Sequence, residues 1–327
     1  MEPLNGPIRW GLAGTGSIVK SFATDFARAG EGEIVAVASR SQDSADAFAA
    51  AHGIERAHGS YAALAADPDV DIVYVGGINP VHAPQTVMFL EAGKHVLVEK
   101  PIALNTREVD EMIAAAAAND RFLMEAMWMR FNPASVDAVA RIHDGAIGEV
   151  RRVLADFSFN LPYDPESRLF DPTKGGGALL DVGIYPYTLA WWILGEPDTT
   201  TAAGHLADTG VDDAISLLCG WESGASAALT AGVRVPGTMT ARIEGSEGVV
   251  EFPLPAHAPD HFVLTQGFDE ETVRHEPPGL HYQAIEVHRR LRAGERESAR
   301  MPLATSRAMT SHFDALRAQL GVVYPAD

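Results

Sequence analysis

The sequence predicts two fold classes in series: an α/β part built on a doubly wound parallel sheet, then an α+β part with a large, mostly antiparallel open sheet. Three observations carry this. Up to about residue 125 short apolar strands alternate with longer helical stretches. Beyond about residue 130 apolar and polar residues alternate one by one and tight turns such as Glu222-Ser223-Gly224 join the runs, the pattern of a sheet with one face buried. A length of 327 residues, 46% hydrophobic and 21% charged, is enough for two cores. The expected domains are 1–125 and 126–327, with the C-terminal helix packing back on the first.

In the first part, strands are predicted over residues 8–13, 34–39, 72–75, 96–99 and 122–125. Helices are predicted over 17–29, 44–52, 84–92 and 106–119, where Ala, Leu, Glu, Met and Arg recur at helical spacing; Gly30, Gly53 and Gly93 close three of them, and Pro101 stops the fourth strand. In the second part a helix over 132–142 precedes strands over 150–159, 214–221, 225–233, 239–245, 248–252 and 261–265, and helices over 282–293 and 305–320 follow. The acidic stretch 268–278 reads as a solvated loop, Trp191 and Trp192 as core of a helix, and the lone Cys219 as a small buried strand residue.

Charge narrows the partners. With 25 Lys plus Arg against 44 Asp plus Glu, the net charge of −19 argues against nucleic acid or an anionic membrane as the main partner, since both require a basic footprint. A small molecule is the expected ligand. No apolar run approaches a membrane span, residues 1–7 lack the features of a signal peptide, and one cysteine fits a reducing compartment, so a soluble, cytoplasmic protein is expected. The twelve histidines form no ligand cluster on one helix, and no metal is expected.

Between the first strand and the first helix runs Gly11-Leu12-Ala13-Gly14-Thr15-Gly16-Ser17-Ile18-Val19. A glycine turn there lets backbone N–H groups and the positive helix end face a pyrophosphate, the sequence form of a Rossmann dinucleotide site. Gly14, Thr15, Gly16, Ser17 and Ile18 are the candidate phosphate binders. Val19 stands where the third glycine of G-x-G-x-x-G would be, so helix and strand are expected to pack slightly further apart. The second strand ends in Ser39-Arg40-Ser41 rather than in an acid that would take a ribose 2′-OH. A hydroxyl and a guanidinium suit a 2′-phosphate, which favours NADP over NAD, with NAD still open.

The stretch Gly93-Lys94-His95-Val96-Leu97-Val98-Glu99-Lys100-Pro101 closely resembles the signature of the glucose-fructose oxidoreductase, inositol dehydrogenase and rhizopine-catabolism (Gfo/Idh/MocA) family. Asn79-Pro80-Val81-His82-Ala83 and the run Gly175-Gly176-Gly177-Ala178-Leu179-Leu180-Asp181-Val182-Gly183-Ile184-Tyr185-Pro186 agree with it, so the similarity spans nearly the whole chain. Glu125-Ala126-Met127-Trp128-Met129-Arg130-Phe131-Asn132-Pro133 together with Tyr185 resembles the branch holding dimeric dihydrodiol dehydrogenases and NADP-dependent aldose (D-xylose) dehydrogenases. The resemblance implies a catalytic lysine at Lys100, a phenol at Tyr185 where many relatives carry His, and a homodimer or higher oligomer formed through the second-domain sheet. It also implies that Asn79, His82, Glu99, Lys100, Trp128 and Arg130 line the cofactor, and that Phe159, Tyr163, Arg168, Asp181 and Tyr185 join Lys100 around the substrate. Asn160 and Asp171 are softer candidates for the same pocket. Gly76-Gly77-Ile78 replaces a more usual small-Thr-Pro stretch, which is expected to leave that backbone pliable.

Removing a hydride from a secondary alcohol or hemiacetal carbon also requires removal of the hydroxyl proton. A free phenol titrates near 10, too high for a good base at neutral pH, but a nearby ammonium favours the phenolate. The expected roles follow: Tyr185 exchanges the proton, Lys100 tunes it and binds the substrate oxygen, and Asp181, four residues before Tyr185 and expected on the same helix face, orients the lysine or a second hydroxyl. The expected substrate is a sugar, polyol or cyclic diol. The alternatives are the family's NAD-dependent glycosidase chemistry and a non-catalytic NADP-binding redox sensor.

Overall fold

The computed structural model describes every residue except Ala326. It divides into two compact units, one of Met1–Trp128 with Gly279–Ser311, the other of Met129–Pro278 with His312–Asp327. The first unit thus takes a second stretch from late in the chain.

In the first unit β1 (Arg9–Ala13), β2 (Glu33–Ala38), β3 (Arg56–His58), β4 (Ile72–Val75), β5 (His95–Glu99) and β6 (Leu123–Ala126) form one parallel sheet in the order β3-β2-β1-β4-β5-β6. The order reverses between β1 and β4, and in doubly wound sheets ligands bind outside the carboxyl ends of the strands at such a reversal. The helices are α1 (Ser17–Phe26), α2 (Gln42–His52), α3 (Tyr61–Ala65), α4 (His82–Glu91) and α5 (Thr106–Ala118). All of β4 and β5 is buried, which is why these strands read as unbroken apolar runs. Val35, Val73, Val75, Phe89, Val96, Val98 and Leu123 form the core. The predicted elements are all present, with shifted ends: residues 27–29 leave α1 as a 3-10 turn, and α4 starts at His82 with Pro84 in its first turn, where a missing N–H costs nothing. The short β3 and α3 were not predicted, because three half-buried residues at a sheet edge show no alternation.

The second unit opens with α6 (Pro133–His143) and β7 (Val150–Ser158), continues through a π turn (Leu179–Gly183) into α7 (Ile184–Leu194), and then runs through seven strands. These are β8 (Thr199–Leu206), β9 (Asp212–Gly220), β10 (Ser226–Gly232), β11 (Ala241–Gly245), β12 (Gly248–Phe252), β13 (His261–Gln266) and β14 (Asp269–Arg274). With β7 they make one sheet, β14-β13-β12-β11-β7-β10-β9-β8, antiparallel throughout except where β10 lies parallel to β7. One expectation is corrected here and one strand was not predicted. The stretch 268–278 contains the edge strand β14, and residues 199–206 form the opposite edge, β8. Edge strands are largely solvated, so Asp269-Glu270-Glu271-Thr272-Val273-Arg274 carries no apolar signal. Trp191 and Trp192 are half-buried rather than core, and Trp192 supports the guanidinium of Arg130 at 5.1 Å. Cys219 lies buried in β9, where desolvation raises its thiol to about 12. The chain ends with α8 (His281–Ala293) and α9 (Leu303–Leu320). Among the described residues no helix is long and apolar enough to cross a membrane.

Two histidines of the first unit give it a pH signature. His95 Nδ1 accepts the Phe122 N–H at 3.0 Å and His288 Nε2 accepts the Trp10 indole N–H at 2.9 Å, so both acceptor nitrogens must be unprotonated. Burial holds each ring at about 4. Below 6.5 the unfolded imidazole takes a proton that the folded one refuses, so stability present above 6.5 is lost progressively down to about 4, roughly 3 kcal/mol per ring. Buried Glu99 and Asp212, each raised to about 7, act with the opposite sign over the same window. The clean test is therefore a difference. His95→Asn and His288→Gln, which keep an acceptor but cannot titrate, should lose less melting temperature than the wild type between pH 7 and pH 4.5; parallel curves would contradict this account.

Candidate active site

In the first unit Gly14 follows β1 at φ +119°, a conformation that L side chains rarely adopt, and its N–H donates to Ala38 O at 2.9 Å. Gly16 then caps α1 from an extended conformation with no side-chain hydrogen bond, and a Cβ added there would meet nothing. The first N–H groups of α1 are thus left without a side-chain acceptor beside open space, which suits an anion. Thr15 and Ile18 are half-buried and Ser17 is exposed at the same turn. Val19 at the third-glycine position is fully buried, and its Cγ2 lies 2.5 Å from where a Cβ on Gly76 would stand. Gly76, in the turn after β4, therefore leaves the room that the Val19 side chain takes up.

At the end of β2 Ser39 is buried, and Arg40 is exposed with no ion pair among the described residues. Ser41 is committed elsewhere: its hydroxyl accepts the Ser44 N–H and caps α2. At the end of β5 Lys100 is half-buried. Glu99 beside it is buried, its Oε1 accepting the Tyr74 hydroxyl at 2.5 Å and its Oε2 the Lys100 N–H at 3.2 Å. Desolvation raises the Glu99 carboxyl to about 7 against those bonds and the Lys100 charge. Glu125 accepts the Ile102 N–H at 3.0 Å, so two buried carboxylates brace the turn that carries Lys100. His82, 1% exposed, places Nδ1 2.8 Å from Pro101 O and Nε2 3.2 Å from Gly77 O, tying that turn to the one after β4. A neutral ring has one N–H to share between the two carbonyls, and burial disfavours its protonation. Asn79 opens the 3-10 turn before α4, and Trp128 is half-buried at the end of this unit.

In the second unit the triple glycine feeds the π turn. Asp181 lies inside it, buried, with its N–H on Gly177 O at 3.2 Å and its carboxylate paired with Arg168 at 2.7 Å. It is not the cap of that helical stretch, which begins at Ala178. The wider π turn between Asp181 and Tyr185 replaces the regular helical spacing expected there; such turns recur at functional sites. Tyr185, 7% exposed in the first turn of α7, has its ring 5.3 Å from both Phe157 and His257, and those two stack at 4.1 Å. Phe159 meets Phe157 edge-on at 6.0 Å. Tyr163 packs on Phe170 and lies under the Arg234 guanidinium at 5.0 Å, while Asn160 pairs with Arg234 through the backbone. Asp171 is used locally: it caps residues 172–174 through the Thr173 N–H and hydroxyl and pairs with Lys174, and the Thr173 hydroxyl first, then Lys174, holds its carboxyl at about 2. Sequence reasoning missed His257, which sits in the irregular stretch between β12 and β13 where no pattern marks it. It also missed Asp212, visible beforehand only as one of a pair of acids starting a strand. Among the described residues no three His, Cys, Asp or Glu side chains converge on a possible metal position.

A parallel sheet in this order, with a bare glycine turn before α1 at the strand-order reversal, defines a dinucleotide-binding fold. Residues 8–127 match the oxidoreductase family with NAD-binding Rossmann fold, and residues 136–251 match the GFO/IDH/MocA C-terminal domain. The chain is 38% identical over 333 residues to a trans-1,2-dihydrobenzene-1,2-diol dehydrogenase of Danio rerio, with 98% of this chain and 99% of that one covered. Among solved structures, an aldose-aldose oxidoreductase from Caulobacter crescentus is 26% identical with a TM-score of 0.88, covering 97% of this chain and 98% of that one. A 3-ketoreductase from Actinomadura kijaniata in complex with NADP is 27% identical with a TM-score of 0.85, covering 96% and 98%. The protein belongs to the Gfo/Idh/MocA oxidoreductase family and is an NAD(P)-dependent enzyme acting on CH–OH groups. The residues present fit that cofactor: the uncapped start of α1 for the pyrophosphate and the exposed Arg40 for the adenosine end.

Proposed function

We propose that the enzyme is an NADP-preferring dehydrogenase that moves a hydride between nicotinamide and a secondary alcohol or hemiacetal carbon of a sugar, polyol or cyclic diol. The end-to-end likeness to a diol dehydrogenase carries this reading, and the aldose-aldose oxidoreductase supports the sugar-like class. When bound, the nicotinamide accepts or returns the hydride; the rest is the work of side chains. Tyr185 takes or gives the hydroxyl proton. Lys100 assists it and binds the same substrate oxygen. Asp181, held by Arg168, orients a further hydroxyl, and Phe159 and Tyr163 supply apolar walls for the carbon faces between polar groups. Cytoplasmic location fits an acidic chain with one buried cysteine. The partner proposed for the open face of the large sheet is a second copy of the chain, and a monomer in sedimentation at working concentration would remove that proposal.

The test is reduced-nicotinamide absorbance with NADP⁺ or NAD⁺ and a panel of aldoses, cyclitols and dihydrodiols. Turnover is expected with NADP⁺. Arg40→Ala should raise the KM for NADP⁺ by roughly 10- to 100-fold, the worth of hydrogen bonds to a charged phosphate, and leave that for NAD⁺ nearly unchanged. Equal effects on both cofactors would mean that Arg40 does not read the 2′-phosphate. Tight cofactor binding without turnover on any member of the panel would overturn the dehydrogenase reading.

A further inference from the structure

The turn preceding the candidate proton-transfer residues is held by two buried groups with no role in the chemistry proposed above. Asp212, fully buried at the start of β9, accepts the Leu179 N–H on Oδ2 at 2.6 Å. Tyr324, 2% exposed near the end of the chain, donates its hydroxyl to Gly176 O at 2.6 Å. Between these bonds sits Gly177 at φ +130°. A Cβ there would collide with Asp212 Oδ1 and stand 3.2 Å from the Tyr324 hydroxyl. The turn is thus gripped on a donor after it and an acceptor before it, against a residue that has to be glycine.

Tyr324 is itself fixed. The Arg317 guanidinium lies 4.7 Å from its ring centre and pairs with Asp327 at 2.7 Å, and the Tyr324 N–H donates to Asp327 at 2.8 Å. Holding a buried carboxylate and a buried phenol on one glycine turn costs desolvation, and for stability alone apolar packing would serve as well. What these bonds add is direction: each fixes one backbone atom within five residues of Asp181, and Asp181 N–H bonds to Gly177 O.

We propose that Asp212 and Tyr324 are positioning residues for the proton-transfer step, a clamp that aims the Gly176–Leu179 turn and through it Asp181 and Tyr185. The inference rests on the reading of Asp181 and Tyr185 given above. Small displacements of a reacting group cost far more in rate than in binding, and a misplacement of about 1 Å can cost on the order of 10²-fold.

The experiment compares Tyr324→Phe, Asp212→Ala and Tyr185→Phe in the full-length enzyme. Tyr324→Phe removes one hydroxyl and keeps the ring under Arg317, so the protein should fold. Its kcat is expected to fall roughly 10- to 100-fold with the KM for NADP⁺ unchanged and a larger solvent deuterium isotope effect, since proton transfer becomes slower relative to the other steps. Asp212→Ala should do the same more strongly where it folds. If both lower the melting temperature but leave kcat per folded enzyme and the isotope effect at wild-type values, the groups are structural only and the proposal is overturned. If Tyr185→Phe retains full turnover, the underlying reading fails instead, whatever the clamp variants do.

Discussion

Tyr185→Phe is expected to lower kcat by roughly 10²- to 10⁴-fold while leaving cofactor affinity and folding close to wild type. The magnitude is that of losing one positioned proton donor and acceptor. Its selectivity follows from the seat of the ring. Tyr185 packs against Phe157 and His257 at 5.3 Å each and is 7% exposed, and phenylalanine fills the same space with the same tilted contacts. The nucleotide turn lies in the other compact unit, so NADP⁺ binding, read by fluorescence quenching, should not move. A drop in kcat accompanied by a large fall in melting temperature would point to a packing role for the ring. Unchanged kcat would remove Tyr185 from the chemistry and transfer the proton to another group, with His257 the first to examine.

What the chain revealed in advance differs by layer, for physical reasons. Strands buried on both faces, such as β4 and β5, announce themselves as apolar runs, and glycines forced by backbone geometry, such as Gly14, stand out against their neighbours. The edges β3, β8 and β14 were silent because little covers them, so any polar residue serves there. The candidate site was legible where a short motif carries it: Lys100 after β5, and Asp181 and Tyr185 after the triple glycine. Contacts made by residues distant in sequence were hidden. Nothing in Tyr74 advertises its bond to Glu99, and nothing in Val19 alone announces that Gly76 makes room for it. Arg168 was expected among the substrate residues, but its pairing with Asp181 emerges only once the loop before the triple glycine is folded.

Lys100→Ala should cost roughly 10²- to 10³-fold in kcat/KM, the usual loss when one charged donor to a developing oxyanion is removed. The residue is well placed to be rigid. Its N–H is held by Glu99, the next carbonyl by His82, and the N–H after that by Glu125, so the backbone under the ammonium is fixed at three successive residues. Lys100→Arg should restore little, because a planar fork cannot deliver a compact charge from the same Cα. A small primary ammonium added to Lys100→Ala should recover part of the rate, since the cavity left by the side chain then admits the missing charge. The same substitution removes the positive charge that opposes desolvation of Glu99, so the Glu99 carboxyl, already raised to about 7, should titrate higher still, as carbon-13 NMR of labelled glutamate would read. Loss of activity with no amine rescue and no movement of Glu99 would mean that the lysine acts by shape rather than by charge.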